Sequence, residues 1–304
     1  MKNVLKTLLV LSIVVIIILG VVYKINNAET EVINDAVRKN ATGKFVALSS
    51  GTTHYDEGGA DTAKTVILIH GYSVPAYIWN PVFDSLVKAG FHVVKYDEFG
   101  RGYSDRPDVD YTPEFYRKQL YDLIHALKLK TPVSLAGVSF GGAVVGDFAA
   151  HYPDLVDKLI LVDPVYRFSL SVSNETIADF YMALDHEDRA HGQLDDFKYP
   201  DKFPNWVAQY KVQMQYKGFR HALISTNKNY PSEVILNNYK TLNTLHKKVL
   251  LIWGKEDNTV TFNFSDSLKS ILDVRFLPVD DAGHLPYLER PAFVIPQIVG
   301  FLKE

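Results

Sequence analysis

A serine flanked by glycines is the residue of this chain best placed for nucleophilic chemistry. The segment 137–142 reads Gly-Val-Ser-Phe-Gly-Gly, with an apolar run before it and an apolar helical pattern after it. Flanking glycines permit a sharp turn from strand to helix, and such a turn projects the serine hydroxyl from the end of the sheet. The five-residue pattern alone also fits a structural Gly-Ser turn, but the surrounding strand and helix favour Ser139 as a nucleophile.

A serine hydroxyl needs a base that accepts its proton, so a histidine must lie elsewhere in the chain. Of the ten histidines, His284 is the best placed, because it lies between the last predicted strand and the last predicted helix. A loop at this point lies at the carboxyl end of the sheet, where open α/β folds bind ligands. The alternative is a loop histidine with a structural hydrogen bond. We predict that His284 is the general base.

The base needs an acid that orients it, and with this kind of serine turn the acid precedes the histidine along the chain. Asp257 meets this condition just beyond the penultimate predicted strand, and we predict that it orients His284. Its neighbour Glu256 is one alternative, and Asp163, at the end of an earlier strand, is another. The simpler interpretation of Asp163, which precedes a proline, is a turn residue that ends the strand.

Two backbone amides are predicted to stabilise the negative oxygen that forms during acyl transfer. One belongs to Phe140, which follows the serine at the N-terminus of the next helix. The other belongs to Tyr72, in the loop after the first strand of the alternating series, where Gly71 lets the chain bend toward the site. We interpret His70 in the same loop as structural, because His284 already fills the role of base.

The elements that must bring these residues together alternate along the chain. Short runs rich in Val, Ile and Leu alternate with helical patterns, which predicts right-handed βαβ crossovers and a parallel sheet covered on both faces. The alternation stops between residues 165 and 245, where we predict a helical insertion, because structureless loops of that length are uncommon. The predicted strands are residues 65–69, 91–96, 133–136, 159–162, 249–253 and 274–277, and the predicted helices are residues 77–89, 113–129, 141–151 and 292–302.

The N-terminal segment carries an uncharged apolar run, residues 7–23, between Lys6 and Lys24. As a helix it would be roughly 26 Å long at about 1.5 Å per residue, close to the bilayer core of about 30 Å. We predict that residues 1–25 form an uncleaved membrane anchor, with a cleaved signal peptide and a buried helix as alternatives. The basic N-terminus places the catalytic part outside the cytoplasm, anchored or, after cleavage, secreted. Residues 26–43 are polar and are predicted to form a stalk.

Composition excludes several classes of function. The chain has 304 residues, of which 47% are hydrophobic, and a net charge of −3, which provides no basic surface for nucleic acid. It has no cysteine, which excludes disulfides, thiolate metal sites and cysteine nucleophiles. The segment 186–191 resembles a zinc-protease helix motif, but its histidines are five residues apart and diverge by about 140° on a helix. No metal or organic cofactor is predicted.

Taken together and in this order, the motifs resemble those of the α/β-hydrolase superfamily, from about Gly43 to the C-terminus. The similarity is greatest to its esterase, monoacylglycerol-lipase-like and meta-cleavage-product hydrolase branches. The motifs that carry it are His-Gly-Tyr at 70–72, Asp-Glu-Phe-Gly-Arg-Gly-Tyr-Ser-Asp at 97–105, the serine turn at 137–142, Asp257 with the preceding Gly254, and Gly283 with His284.

This resemblance implies an α/β-hydrolase fold, with an eight-stranded, mostly parallel sheet and a helical cap inserted after strand six. The core would comprise residues 44–164 and 246–304, and the cap residues 165–245. Aromatic residues of the cap could line an apolar pocket, although aromatics at helical spacing more often belong to a core. They include Tyr166, Phe168, Phe180, Tyr181, Trp206, Tyr210, Tyr216 and Phe219.

These observations predict a serine hydrolase that cleaves carboxylic esters with an apolar, lipid-like acyl group through an acyl-enzyme. Alternatives with the same triad are hydrolysis of a carbon–carbon bond, as in the meta-cleavage branch, and cofactor-free perhydrolase activity. An alternative of another class is a catalytically inactive ligand-binding protein built on the same fold. The predicted partners are a small or lipid-like ester and a membrane that the N-terminal helix enters.

Overall fold

A single mixed sheet forms the centre of the protein, whose computed structural model describes residues 1–167 and 174–304. The strand order is β1-β2-β4-β3-β5-β6-β7-β8; β2 is antiparallel to both of its neighbours, and all other neighbours are parallel. This confirms the predicted eight-stranded, mostly parallel sheet. The strands are β1 (Lys44–Leu48), β2 (Gly51–Gly58), β3 (Thr65–Ile69), β4 (His92–Tyr96), β5 (Val133–Val138), β6 (Val156–Val162), β7 (Lys248–Gly254) and β8 (Arg275–Val279).

Helices cover both faces of the sheet and form a cap between β6 and β7, as the predicted fold requires. Outside the cap they are α1 (Lys2–Asn26), α2 (Asp35–Asn40), α3 (Asn80–Lys88), α4 (Pro113–Ala126), α5 (Phe140–His151), α11 (Phe264–Lys269), α12 (Pro286–Glu289) and α13 (Pro291–Lys303). In the cap they are α6 (Glu175–Leu184), α7 (His186–Gly192), α8 (Trp206–Met214), α9 (Phe219–Asn229) and α10 (Ser232–Thr244). Short 3₁₀ turns lie at Ala76–Trp79, Pro153–Leu155, Gln193–Asp196 and Pro200–Lys202.

The central strands read as unbroken apolar runs because both faces of the sheet are buried. In β3, Ile67 and Ile69 point into the core on one face, whereas Val66 and Leu68 point into the core on the other. Because side chains alternate along a strand, each face needs its own layer of helices. Helices α4, α5 and α10 contribute to the first core and helices α3 and α13 to the second.

Four of the seven described aromatics named above for the cap are buried. Trp206, Tyr210, Tyr216 and Phe219 are buried, which agrees with their interpretation as core residues. Phe168 lies outside the described residues. Tyr181 is exposed on α6.

The segment between the N-terminal helix and the sheet contains ordered structure. Within the predicted stalk, helix α2 begins after Asn34, whose side chain accepts a hydrogen bond from the amide of Val37. Arg38 forms an ion pair with Asp105, which belongs to the predicted core domain. These contacts show that the stalk segment lies on the folded body. The division of the chain into anchor, stalk, core and cap stays a prediction.

A substitution of Leu135, in the middle of β5, tests how much the central core contributes to the free energy of unfolding. Its side chain is fully buried, so Leu135→Ala removes apolar contacts and leaves a cavity between sheet and helices. We expect the free energy of unfolding to fall by about 3 kcal/mol, measured by denaturant titration in detergent. Val109→Ala, at an exposed position, is the control and should change it by less than about 0.5 kcal/mol. Equal effects of the two substitutions would contradict this description of the core.

Candidate active site

Ser139 lies at the sharp turn from strand β5 into helix α5. Its φ of 53° and ψ of −119° belong to a region that non-glycine residues rarely adopt. Three backbone hydrogen bonds hold the turn. The amide of Ser139 donates to the carbonyl of Val162 at 2.9 Å, and its carbonyl accepts from the amides of Gly142 and Val165, each at 3.0 Å. The strand–serine–helix turn predicted from the sequence is therefore present.

Close packing explains the glycines on both sides of this turn. A Cβ on Gly137 would overlap the carbonyl group of Gly141, and a Cβ on Gly141 would overlap the carbonyls at the end of β3. Helix α5 thus starts almost in contact with the neighbouring strand, and side chains larger than hydrogen would force the two apart. The glycines fix the position of Ser139 relative to the loop after β3.

His284 and Asp257 come from two further loops and form a hydrogen-bonded pair. Nδ1 of His284 donates to Oδ2 of Asp257 at 2.7 Å, and both side chains are buried. The other carboxylate oxygen of Asp257 accepts from the amides of Thr259 and Val260 at 2.8 and 2.9 Å. The backbone amide of His284 donates to the carbonyl of Asp196 in the cap at 2.7 Å. The pair is therefore held from the core and from the cap.

Ser139 and His284 line one cavity of about 370 Å³ at the carboxyl end of the sheet. Gly71 and Tyr72 form part of its wall, and the cap covers it with residues between 189 and 196. The structure thus brings the predicted serine and histidine to a single pocket between core and cap. A pocket of this size and position suits a small-molecule site.

The electrostatics of this pair suit a base that works near neutral pH. Burial by itself lowers the pKa of His284, but the charge of Asp257 and its hydrogen bond, with a further contribution from Asp196, raise it to about 8. An adjacent carboxylate favours the protonated imidazole. His284 can therefore accept a proton and hold it while a reaction proceeds.

The loop after β3 passes directly beside the serine. A Cβ built on Gly71 would lie 3.3 Å from the Cβ of Ser139, so the backbone of this loop and the serine face each other at close range. Phe140, the other predicted oxyanion donor, is the first residue of α5, where backbone amides point toward the helix N-terminus. Both amides predicted to bind the oxyanion are thus adjacent to the serine turn.

A buried arginine holds this loop against the cap. Nε of Arg101 donates to the carbonyl of Tyr72 at 2.9 Å, and its two terminal nitrogens donate to the hydroxyls of Tyr116 and Thr226 at 2.7 and 3.0 Å. The hydroxyl of Tyr72 in turn donates to the carbonyl of Leu223 in α9 at 2.5 Å. In the sequence Arg101 contributes only to the family motif, and nothing in the motif indicates that it positions the loop of Tyr72.

His70 has both ring nitrogens engaged with backbone. Nδ1 donates to the carbonyl of Gly71 at 2.7 Å, and Nε2 accepts from the amide of Glu98 at 2.9 Å. Burial lowers its pKa to about 4, although the charge of Asp97 opposes this. The ring is therefore neutral, and these contacts agree with the structural role predicted for it.

Asp163, the alternative acid, lies beside the His284–Asp257 pair. One polar atom from each of these three residues lies within 4.8 Å of the others. Oδ1 of Asp163 accepts from the amide of Gly254 at 2.8 Å. Burial and the charge of Asp257 raise the pKa of Asp163 well above its usual range. The protonated form of Asp163 is therefore favoured, while Asp257 bonds the histidine.

The same three residues form the cluster of potential metal ligands found among the described residues. The hydrogen bond between His284 and Asp257 already occupies two of the donor atoms, and a neutral Asp163 would have to lose its proton before it could bind a cation. The geometry fits an acid–base pair better than a metal site.

Four polar residues of the cap line the cavity and are not predicted from the sequence. They are Arg189, Gln193, Asp195 and Asp196, and Gln193 accepts a hydrogen bond from Ser73 at 3.1 Å. Arg189 lies within the 186–191 segment, which resembles a zinc-protease motif only in its residue types. In the sequence these residues look like solvent-exposed helix positions, so only the fold of the cap reveals them.

Comparison with known proteins is decisive for the family. A sequence profile described as alpha/beta hydrolase fold matches residues 64–291. This chain belongs to that family. It is 25% identical to Lipase 1 of Psychrobacter immobilis over 260 residues, which cover 81% of this chain and 79% of that one. It is 26% identical to Monoacylglycerol lipase ABHD6 of Homo sapiens over 255 residues, which cover 78% and 75%.

Among solved structures, the chain resembles the meta-cleavage product hydrolase CumD of Pseudomonas fluorescens IP01. The TM-score is 0.72 at 24% sequence identity, and the match covers 86% of this chain and 97% of that one. At this identity the likeness shows the alpha/beta hydrolase fold alone. The family and the lipase relatives support hydrolase activity on esters in general.

The effects of Asp257 and Asp163 on His284 can be separated by a pair of matched substitutions. Asp257→Asn removes the negative charge beside His284, so the pKa of His284 should fall from about 8 to roughly 6.5 or lower. NMR titration of the imidazole measures it, with the signal assigned from a His284→Gln spectrum.

Asp163→Asn is the control for this titration. An amide replaces a neutral carboxyl with nearly the same shape and can still accept from the amide of Gly254, so the pKa of His284 should stay near 8. A fall in the pKa of His284 in Asp163→Asn equal to that in Asp257→Asn would show that Asp163 is ionised, against the assignment above.

Proposed function

We propose that this protein is a serine hydrolase that cleaves carboxylic esters with an apolar, lipid-like acyl group. The observation that carries the proposal is the hydrogen-bonded pair of His284 and Asp257 at the cavity that Ser139 lines. A hydroxyl and an imidazole at one pocket, with a carboxylate bonded to the imidazole, are the components of a nucleophilic triad. The lipase relatives support an ester as the substrate.

The reaction proceeds in two halves. In the first, Oγ of Ser139 attacks the ester carbonyl carbon while Nε2 of His284 takes the hydroxyl proton, and Asp257 stabilises the imidazolium. The tetrahedral intermediate collapses, the carbon–oxygen bond to the alcohol breaks, and His284 gives its proton to the leaving oxygen. An ester between the acyl group and Ser139 remains.

Water completes the cycle. His284 takes a proton from a water molecule as the water attacks the acyl carbon, and the proton then passes to Oγ of Ser139 as the acyl–enzyme bond breaks. A carboxylic acid leaves, so one ester and one water give one acid and one alcohol. The chemistry uses protein groups and water and requires no metal or organic cofactor.

The amides of Tyr72 and Phe140 stabilise the tetrahedral oxyanion of both halves. Donors fixed before the reaction stabilise developing charge without reorganisation. The position of the loop that contains Tyr72 supports this role. A Cβ built on Gly71, the residue before Tyr72, would lie 3.3 Å from the Cβ of Ser139. Arg101 holds the carbonyl of Tyr72, and Phe140 lies at the N-terminus of α5, whose dipole favours negative charge.

The protein acts at a membrane, with its catalytic part outside the cytoplasm. Helix α1 is long and apolar enough to cross a bilayer, and none of its residues is buried. Lysines at its N-terminal end, Lys2 and Lys6, favour a cytoplasmic N-terminus. Anchoring keeps the enzyme close to lipid-like esters, which concentrate in membranes.

Ser139→Ala tests the nucleophile. The variant lacks the oxygen that forms the acyl-enzyme, so turnover of p-nitrophenyl esters of graded chain length should fall by roughly 10⁶-fold, and a fluorophosphonate probe should no longer label the protein. Ser73→Ala is the matched control, because Ser73 lines the same cavity but lies outside the serine turn; this variant should still be labelled. Labelling that survives in Ser139→Ala would refute the assignment of the nucleophile.

The pH dependence of ester hydrolysis tests the base. His284 acts only when unprotonated, so kcat/KM should rise about tenfold per pH unit below its pKa of about 8 and level off above it. Rates are corrected with Ser139→Ala as the blank. In Asp257→Asn the rise should move to lower pH and the plateau should fall by roughly 10⁴-fold. A profile that is flat between pH 6 and pH 9 would contradict His284 as the base.

A further inference from the structure

The end of the N-terminal helix is fastened to the cap. The hydroxyl of Tyr23 in α1 donates to Oδ2 of Asp179 at 2.6 Å. Its ring stacks on Phe180, with centroids 6.1 Å apart and an interplanar angle of 15°. Both partners belong to α6, so the last turns of α1 lie against this cap helix.

A buried arginine of α9 completes the connection. Only 6% of Arg220 is exposed. Its Nε donates to Oδ1 of Asp179 at 2.7 Å, and its two terminal nitrogens donate to Oδ1 of Asn27 and to the hydroxyl of Tyr23, at 2.8 and 2.9 Å. One desolvated cation thus joins the helix end, the residue that follows it and the cap. Without residues up to Asn27, two of its donors would lose their partners at a cost.

The residues after α1 continue along the cap. The carboxylate of Glu29, which is itself buried, accepts from the amides of Gly218 and Arg220 at 2.8 and 2.6 Å, at the start of α9. The backbone of Glu31 accepts from the amide of Lys217 at 2.8 Å and donates to the carbonyl of Gln215 at 2.9 Å. We call residues Tyr23 to Glu31 the junction; its contacts fix where the cap lies relative to α1.

Next to the junction, α6 presents two large apolar side chains to the outside. Ile177 is 56% exposed and Tyr181 is 65% exposed. They are four residues apart and lie on one side of the helix. Ile25, at the end of α1, is also exposed, and Phe180, the neighbour of Tyr181 in the chain, stacks on Tyr23 of α1, so the exposed part of α6 lies beside the end of the apolar helix. We call Ile177 and Tyr181 the α6 face.

We propose that the α6 face rests on the lipid surface of the membrane that α1 enters, and that the junction holds it there. Continuity with an apolar helix of membrane-spanning length favours lipid as the occupant, and tyrosine at the edge of such a helix suits the boundary between headgroups and acyl chains. Helix α7, directly after α6, contributes Arg189 and Gly192 to the cavity of Ser139. Resting on the proposed function, this arrangement makes esters that reside in the membrane the substrate class.

Fluorescence quenching in the full-length protein tests the docking without any need for turnover. Tyr181→Trp is reconstituted into phosphatidylcholine vesicles with or without bromine on the acyl chains, close to the headgroups. The emission added by this substitution should be lost in brominated vesicles. The native tryptophans, Trp79, Trp206 and Trp253, are buried and supply a constant background.

Phe293→Trp is the matched control. Phe293 is an aromatic residue that is 47% exposed, but it lies on α13, outside the cap, so bromine should leave its emission unchanged. Absence of quenching in Tyr181→Trp would overturn the proposal, and so would equal quenching in both variants. A second copy of the chain on the α6 face would shield the Tyr181→Trp probe from bromine and shift its emission to shorter wavelength, which also overturns the proposal.

Turnover then links the docking to substrate. In the double variant Ile177→Glu, Tyr181→Glu, hydrolysis of a long-chain ester presented in vesicles should fall roughly tenfold or more, while hydrolysis of a soluble short-chain ester is retained. Phe293→Glu should retain both rates. An unchanged vesicle rate in the double variant overturns the docking and leaves the ester hydrolase intact. Inactivity of the wild-type protein on both substrates would refute the proposed function, whereas the quenching result would still stand.

Discussion

The close approach of helix α5 to the end of strand β3 is the constraint on which the rest of the site depends. Only glycine fits at 137 and 141, and the chain turns between them with Ser139 at a positive φ, a conformation that costs energy and persists because its surroundings impose it. Since the backbone of the neighbouring loop lies against this turn, one set of contacts fixes both the serine and the loop of Tyr72. The loops of His284 and Asp257 then meet the serine at the same edge of the sheet.

Much of this architecture could be predicted from the sequence, because its signals are local. Strands buried on both faces appear as unbroken apolar runs, and β3 lies at the predicted residues 65–69. Asp257 and His284 follow the neighbouring strands β7 and β8, and the order of elements in the sequence already indicates which strand ends meet. The hairpin of β1 and β2 was not located individually, because its residues are half polar and pair at the edge of the sheet.

The features that could not be predicted from the sequence depend on contacts between segments that are far apart in the chain. The raised pKa of Asp163 follows from its burial next to Asp257, which lies in the loop after another strand, and neither residue shows this by its type or its neighbours in the sequence. Arg189 reaches the cavity because of how the cap helices pack. A single position in the sequence carries no pattern that would predict this packing. The contact of Tyr23 with Arg220 joins residues 197 positions apart, and a polar stretch after an apolar helix looks the same whether it is free or packed.

The hydrogen bonds of Arg101 have a mechanical consequence. This one guanidinium grips the peptide beside the serine through Tyr72 and the cap through Thr226, and three tyrosine rings surround it within 6 Å. An outward movement of α9 would break hydrogen bonds of the buried Arg101 guanidinium, and solvent does not reach this charge to replace them. The part of the cap formed by α9 is therefore fixed to the loop beside the nucleophile, and the two would have to move as one unit.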